Sequence, residues 1–324
     1  MKTLDTKLSL QNCSLNGFVN GSLISSPIYW LVILLGFSQP TLAAPSVLVD
    51  ISPTHSLVSM VMGDIGEPQL LISSASNPHD FALRPSDASR LSSADLIFYT
   101  SSTLTPWLTK ALKSLAQNTL AFELISTEGT VLLPLRNNHL FSHKGHEEHT
   151  SDVYDPHAWL DPSNAVTWLA HIAKQLAHVD TVNATTYQQN AERASLRIQI
   201  LMENVRQELD GLQAVPYVVF HDSYQYFETR FNLQPKASIS LGDGTKPGIS
   251  QIRKLQAVIQ SSQAQCVFSE PQYSDRLVNT VVSGLDINIT QLDPLGFDLE
   301  PGVNLYISLL KNLSHSLFEC LVIK

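Results

Sequence analysis

The chain has 324 residues, of which 15% are charged, and its 29 acidic residues outnumber the 20 basic residues to give a formal net charge of −9. An acidic chain without basic clusters argues against nucleic acid as a partner and suits a protein that gathers cations. The length is sufficient for two domains of ordinary size.

Residues 1–44 have the pattern of a secretory signal peptide. An apolar run from Ile24 to Ser38 follows two lysines, and the small residues up to Ala44 suit signal peptidase. The run is too short to span a bilayer comfortably, so a cleaved signal is favoured over the alternative, an uncleaved membrane anchor. Its removal would leave 18 basic and 28 acidic residues in the mature chain.

Residues 45–182 are predicted to form a first α/β lobe, because apolar strands alternate with helical segments. Strands are predicted at 47–51, 69–72, 95–99 and 120–124. Helices are predicted to begin near Pro53, Ser86 and Thr105, and again after Asp161, which precedes Pro162 as an N-cap precedes the first helical residue. This alternation is typical of parallel β-α units.

Within this lobe the alternation stops between residues 134 and 156. The stretch is polar, turn-rich and rich in histidine, and predicts a long surface loop. Further on, a helical stretch from about Thr185 that stops at Gly211 predicts a linking helix over 183–212. At 1.5 Å per residue this helix would be roughly 40 Å long, enough to brace two lobes.

Residues 213–324 are predicted to form the second α/β lobe. Strands are predicted at 217–220, 265–268 and 287–292, and helices at 250–260, 275–283 and 303–318, with Cys320 just beyond the last helix. The predicted fold is therefore α/β, with two lobes that each contain a parallel sheet flanked by helices and are joined by a long rigid helix.

Two cysteines, Cys266 and Cys320, would remain in the mature chain, since Cys13 falls in the signal segment. An even pair in an exported chain predicts one disulfide. Two buried thiols are the alternative, because spacing alone does not show contact.

Three histidines share one kind of position. His79 follows a predicted strand, His157 stands at the exit of the histidine-rich loop, and His221 ends a strand of the second lobe. Ligands of open α/β sheets bind outside the carboxyl ends of strands, so these residues are expected to converge on a cleft between the lobes, with Asp293 as a fourth member. Three imidazoles and one carboxylate match a tetrahedral zinc site. The simpler interpretation of any one histidine is a surface or hydrogen-bonded residue.

Five motifs resemble those of the solute-binding proteins of zinc and manganese ABC importers. They are NPHDFALRPSD at 77–87, DPHAWLDP at 155–162, HDSY at 221–224, SEPQ at 269–272 and LDPLG at 292–296. The resemblance covers nearly the whole mature chain. It implies a monomeric periplasmic protein that holds metal between two lobes and delivers it to a membrane permease driven by a cytoplasmic ATPase.

The resemblance also assigns the metal ligands. His79, His157 and His221 match the family's three metal positions, and zinc-type members have histidine at the third where manganese-type members have a carboxylate. His221 therefore favours zinc, in agreement with the preference of imidazole for that ion. Asp293 matches a ligand of some members, whereas others use water or a glutamate. The position of that glutamate holds Pro78 here, which leaves Asp293 or water.

Two further features resemble part of the family. The loop histidines, with neighbouring acidic residues, resemble a loop of zinc-type members that would collect zinc weakly; a solvated loop without a metal role is the alternative. These histidines are His139, His143, His146 and His149. Cys266 and Cys320 match a disulfide seen in some members.

The expected function is zinc capture for an importer, not catalysis. Three alternatives are a manganese-binding importer component, a zinc-dependent hydrolase and a metal-binding adhesin. The hydrolase is disfavoured because the sequence contains no recognisable general-base motif such as H-E-x-x-H.

Overall fold

The computed structural model describes residues 44–136, 140–141, 153–240 and 247–322. Within these ranges, two four-stranded parallel sheets are flanked by helices. The predicted α/β fold with two lobes is thereby confirmed. Among the described helices, none combines the length and the apolar character needed to cross a membrane. The predicted signal segment lies outside the described residues, apart from Ala44.

The first lobe contains one sheet with the strand order β2-β1-β3-β4. Its strands are β1 (Val47–Val49), β2 (Gln69–Leu70), β3 (Leu96–Tyr99) and β4 (Leu120–Glu123). Its helices are α1 (Ser52–Met62), α2 (Pro85–Ser93), α3 (Pro106–Leu115) and α4 (Pro162–Val179). Each of these helices has a proline in its first two positions, where the missing N–H removes no helical hydrogen bond.

The residue that caps α4 also forms a polar contact between the two lobes. The Asp161 side chain caps the helix by accepting a hydrogen bond from the Ser163 amide at 2.8 Å, as the sequence predicts. The same carboxylate accepts Arg230 Nε at 2.8 Å and Nη2 at 2.7 Å. Because Arg230 lies in α6 (Gln225–Phe231) of the second lobe, this helix cap is also an ion pair between lobes.

The second lobe contains a sheet with the order β6-β5-β7-β8. Its strands are β5 (Tyr217–His221), β6 (Ala237–Ser240), β7 (Cys266–Ser269) and β8 (Asn288–Gln291), and its further helices are α7 (Ile249–Ser262) and α8 (Arg276–Val281). The short elements α6 and β6 were not predicted. The β6 sequence, Ala-Ser-Ile-Ser, is half serine and lacks the apolar character of its neighbours.

Two long helices pack against α1. The helix α5 (Ala184–Glu208) lies within the range 183–212 predicted for the linking helix and packs against α4 and α1 of the first lobe. The last helix, α9 (Leu305–Val322), contacts α1, α5 and β8. The prediction that Cys320 lies beyond this helix is wrong: no glycine or proline interrupts the chain after Phe318, and α9 continues through Cys320.

Side-chain alternation in β5 divides the apolar residues of the second lobe. Tyr217 and Val219 belong to the same apolar cluster as the core of the first lobe, whereas Val218 and Phe220 belong to a second cluster with residues of α7 and α8. Successive residues of a strand point to opposite faces of its sheet, so one face joins the lobes and the other packs on the helices of the second lobe. The lobes are therefore joined by a shared apolar core, which restrains their relative motion.

A disulfide links the second sheet to the last helix. Cys266 in β7 is bonded to Cys320 in α9, with 6.1 Å between their Cα atoms, and both residues are buried. The predicted pairing is confirmed. The bond fixes the end of α9 against the second lobe, while the start of the helix packs on the first.

Removal of this bond is expected to destabilise the protein. The variant Cys266→Ala with Cys320→Ala should lose about 4 kcal/mol of unfolding free energy, because a crosslink across 54 positions restricts the unfolded chain. Chemical denaturation without reductant measures the loss, and Cys320→Ala alone should lose a similar amount because either change breaks the bond. Alkylatable thiols in the native mature protein would contradict the prediction.

Candidate metal site

The imidazoles of His79, His157 and His221 converge where the lobes meet. One ring nitrogen from each residue lies within 4.8 Å of the other two. The ring centroids are 5.7 Å apart for His79 and His157, 6.0 Å for His79 and His221, and 4.9 Å for His157 and His221. No second group of three or more metal-binding side chains with such spacing occurs in the described part of the chain. The structure thus brings together the three histidines singled out in the sequence.

Each histidine is placed by a different kind of local structure. His221 is the last residue of β5, beside β7, where the strand order of the second sheet reverses. Such a reversal opens a crevice at the carboxyl ends of the strands. His157 immediately precedes a short 3₁₀ helix, 158–160, and is buried. His79 lies in the loop between β2 and α2, and its amide donates to Asn77 Oδ1 at 3.0 Å.

A small cavity lies among the three rings. Its volume is about 20 Å³, and its walls include Trp159 and Tyr273 as well as the histidines. Trp159 is fixed because its Nε1 donates to the Pro294 carbonyl at 2.9 Å, across the lobe junction. A space of this size accommodates one ion or one water molecule.

A buried carboxylate orients His157. Asp155 Oδ1 lies 2.8 Å from His157 Nδ1 and also accepts the His157 amide at 2.9 Å. Burial raises the pKa of Asp155 to about 7, although the His157 amide and the charge of Arg136 act in the opposite direction. A carboxylate that accepts a hydrogen bond from Nδ1 leaves Nε2 as the nitrogen for a metal, and raises the basicity of the ring.

A second carboxylate faces His221. Glu270 Oε2 lies 3.7 Å from His221 Nδ1, and Glu270 Oε1 accepts the hydroxyl of Tyr224 at 3.0 Å. Burial alone would lower the pKa of His221, but Glu270 and the charges of Asp222 and Asp155 outweigh burial and raise it. The Nε2 of His221 is buried and has no hydrogen-bond partner among the described residues. Such a nitrogen is costly to bury, and a bound cation would satisfy it.

Asp293 is placed differently from the expectation. The group of converging metal-binding atoms does not include it among the described residues. Its Oδ1 accepts Gln272 Nε2 at 2.9 Å and the amides of Leu295 and Gly296 at 3.0 Å each, and its Oδ2 accepts the Phe297 amide at 2.5 Å. The chain turns after β8, and the backbone amides of this turn point toward the Asp293 carboxylate. The carboxylate therefore caps the turn.

The four loop histidines, His139, His143, His146 and His149, lie outside the described residues. The described ends of the loop are paired with each other: the Leu135 amide donates to the Val153 carbonyl at 3.2 Å, and the Asp155 amide donates to the Leu133 carbonyl at 2.9 Å. The chain therefore returns from the loop two residues before His157.

Sequence reasoning gave no role to Asp155 or Glu270, although both lie in the quoted motifs. Asp155 stands two residues before His157, a spacing that lets one side chain reach both the amide and the ring. Glu270 directly follows β7, the strand beside β5, so it emerges at the same sheet edge as His221. The spacing of Asp155 is readable in the sequence, whereas the position of Glu270 becomes visible only once the strand order is known.

The fold is that of a two-lobed solute-binding protein, with three converging histidines at the lobe junction. Residues 47–320 match the family described as Zinc-uptake complex component A periplasmic (ZnuA), and the chain belongs to this family. One relative is the High-affinity zinc uptake system protein ZnuA of Brucella abortus (strain 2308), which is 35% identical over 319 residues. That alignment covers 89% of this chain and 96% of the relative.

Solved structures show the same fold. One described as "Crystal structure of ZnuA" has a TM-score of 0.73 at 24% identity and covers 86% of this chain and 99% of that one. Another, "Structure of the SBP FpvC" from Pseudomonas aeruginosa "in complex with Mn2+", has a TM-score of 0.71 at 20% identity and covers 86% and 98%. The likeness to both extends over nearly the whole described region.

The hydrogen bonds of Asp293 lead to a prediction that separates capping from metal binding. Asp293→Asn should lower the free energy of unfolding by about 2 kcal/mol, because the amides lose a charged acceptor. It should change zinc affinity less than tenfold. Denaturation and zinc titration of the same preparation measure both quantities. A loss of affinity as large as that of His221→Ala would show that Asp293 is a ligand as well as a cap.

Proposed function

We propose that this protein captures zinc in the periplasm, holds one ion between its lobes, and delivers it to the permease and ATPase of an ABC importer. The observation that carries the proposal is the convergence of His79, His157 and His221 around a cavity for one ion. Membership of the zinc-uptake family and the name of the relative from Brucella abortus support the same function.

The proposed ligands are one nitrogen each of His79, His157 and His221, with water in the fourth position. Zinc prefers four-coordinate tetrahedral sites built from such ligands. Water is favoured over Asp293 because both oxygens of that carboxylate already accept hydrogen bonds from the turn. The carboxyl groups of Asp155 and Glu270 lie behind two of the rings, where they orient the imidazoles.

The choice of zinc over manganese rests on the ligands, since the fold alone does not select the ion. FpvC has this fold and was solved with Mn²⁺. A site of three imidazoles suits zinc, whereas manganese prefers oxygen ligands. His221 is therefore the residue that most favours zinc.

Capture is favoured over hydrolysis by the contacts of the nearby carboxylates. A hydrolytic zinc site needs a general base within reach of the metal-bound water. Asp155 contacts the ring of His157, and Glu270 contacts the ring of His221 and the hydroxyl of Tyr224. Both are thus placed to orient ligands, as expected of a binding site.

Zinc titration tests the function directly. Metal-free mature protein should bind one zinc ion tightly per chain and should prefer zinc to manganese, because one group of three imidazoles lies between the lobes. Calorimetry in competition with a chelator of known affinity gives stoichiometry and affinity, and an equal titration with Mn²⁺ gives the preference. Absence of a tight zinc site, or tighter binding of Mn²⁺, would refute the proposal. Weaker additional zinc on the loop histidines is compatible with it.

A pair of variants tests which histidines form the primary site. His221→Ala should lower zinc affinity severely and leave the protein folded, because it removes one of three nitrogen ligands from a strand end. A variant with alanine at His139, His143, His146 and His149 should lose far less, since the proposed ligand set is complete without them. Zinc affinity and circular dichroism are compared for both. The assignment is wrong if the loop variant loses more affinity than His221→Ala.

A further inference from the structure

Arg136 lies at the base of the histidine-rich loop, where the chain leaves the first lobe. Pro134 forms an isolated antiparallel bridge with Tyr154, and the Leu135 amide donates to the Val153 carbonyl. These contacts fix the backbone just before Arg136. Its side chain therefore extends from a restrained position.

The guanidinium of Arg136 reaches into the second lobe. Its Nη1 lies 2.9 Å from Asp222 Oδ1, and its Nη2 lies 2.8 Å from Glu228 Oε2. Only 3% of the Asp222 side chain and 2% of the Glu228 side chain are exposed. Hydrogen bonds between charged groups are stronger and shorter than neutral ones, and the planar guanidinium holds both carboxylates in fixed directions.

The chain just beyond Arg136 is held against the same lobe. The guanidinium lies 4.3 Å from the ring centroid of Phe141. The Phe141 amide donates to the Lys236 carbonyl at 3.0 Å, and Leu140 forms an isolated bridge with Ala237, the first residue of β6. The chain before Arg136 also contacts this lobe, since the Leu133 amide donates to the hydroxyl of Tyr226 in α6 at 3.1 Å. Arg136 thus lies in a segment that is held on the second lobe from both sides.

Two carboxylates close to Arg136, Asp222 and Asp155, lie next to proposed metal ligands. Asp222 directly follows His221, so its ion pair restrains the end of β5. On the other side, Asp155 lies in the segment that is hydrogen-bonded to the base of the loop, and it contacts the ring of His157.

We propose that Arg136 is a positioning residue of the metal site. Through its ion pairs with Asp222 and Glu228, it fixes the segment that carries His157 relative to the strand that carries His221. This inference rests on the proposed zinc binding by the three histidines. A buried ion pair often adds little net stability, but its directional contacts can fix one arrangement of the chain. Loss of Arg136 would remove the donor that holds two buried carboxylates, so β5 and α6 would lose this restraint.

The test uses the full mature chain with Arg136→Met, which keeps most of the side-chain length and removes the charge. Zinc affinity is measured in competition with a chromophoric chelator, and Co²⁺ alone serves as a spectroscopic probe of ligand geometry. We expect at least about a tenfold loss of zinc affinity, the magnitude typical of residues that orient metal ligands. The visible Co²⁺ spectrum should change, and Arg136→Lys should recover part of the affinity because it restores the charge without the two-pronged geometry.

The matched control is Arg206→Met, which removes an exposed ion pair with Glu203 on α5 and should bind zinc like the unmodified chain. If Arg136→Met does not fold, the same loss is expected in a variant that adds Asp222→Asn and Glu228→Gln and so removes the buried charges together. A folded variant of either kind with the affinity and Co²⁺ spectrum of the unmodified chain overturns the inference. An unmodified chain that fails to bind zinc overturns the proposed function itself, and this inference with it.

Discussion

The proposed metal site depends on the apolar core that runs through both lobes. One face of the second sheet, represented by Tyr217, Val219 and Phe268, packs into the same cluster as the first sheet and its helices. Because that junction contains a buried apolar cluster, the three imidazoles approach from two lobes without the freedom that a polar hinge would give them. The cavity for the ion is therefore a property of the packed junction, and no single loop encloses it.

The polar contacts at the junction add direction to this packing. Three polar contacts join segments that are distant in sequence. One is the Asp161–Arg230 ion pair, and another is the hydrogen bond from Trp159 to the Pro294 carbonyl. In the third, the Tyr306 hydroxyl donates to the Trp159 carbonyl at 2.7 Å. Apolar burial is strong but non-directional, whereas these bonds fix orientation. The two bonds of Trp159 hold it against the cavity, whose volume is about 20 Å³.

Much of the fold and of the site could be predicted from the sequence because the signals are local. Apolar strands, prolines at helix starts and the motifs around His79, His157 and His221 are all readable in short windows. The rest depends on contacts distant in sequence. β6 is too short and too rich in serine to predict alone, and Asp293 looks like a ligand until the turn that it caps is seen. Arg136 carries no local signal, since its partners lie 86 and 92 positions away.

The three proposed ligands differ in how firmly the protein holds them, and this difference bears on release of the ion. His221 ends a central strand, and His157 is fixed by Asp155 through both its ring and its amide. His79 lies on a loop and is the least buried of the three. Because the shared core opposes separation of the lobes, breaking the bond to His79 would disturb the least packing. A cargo site must bind tightly and still release, and two firmly held ligands with one on a loop satisfy both demands.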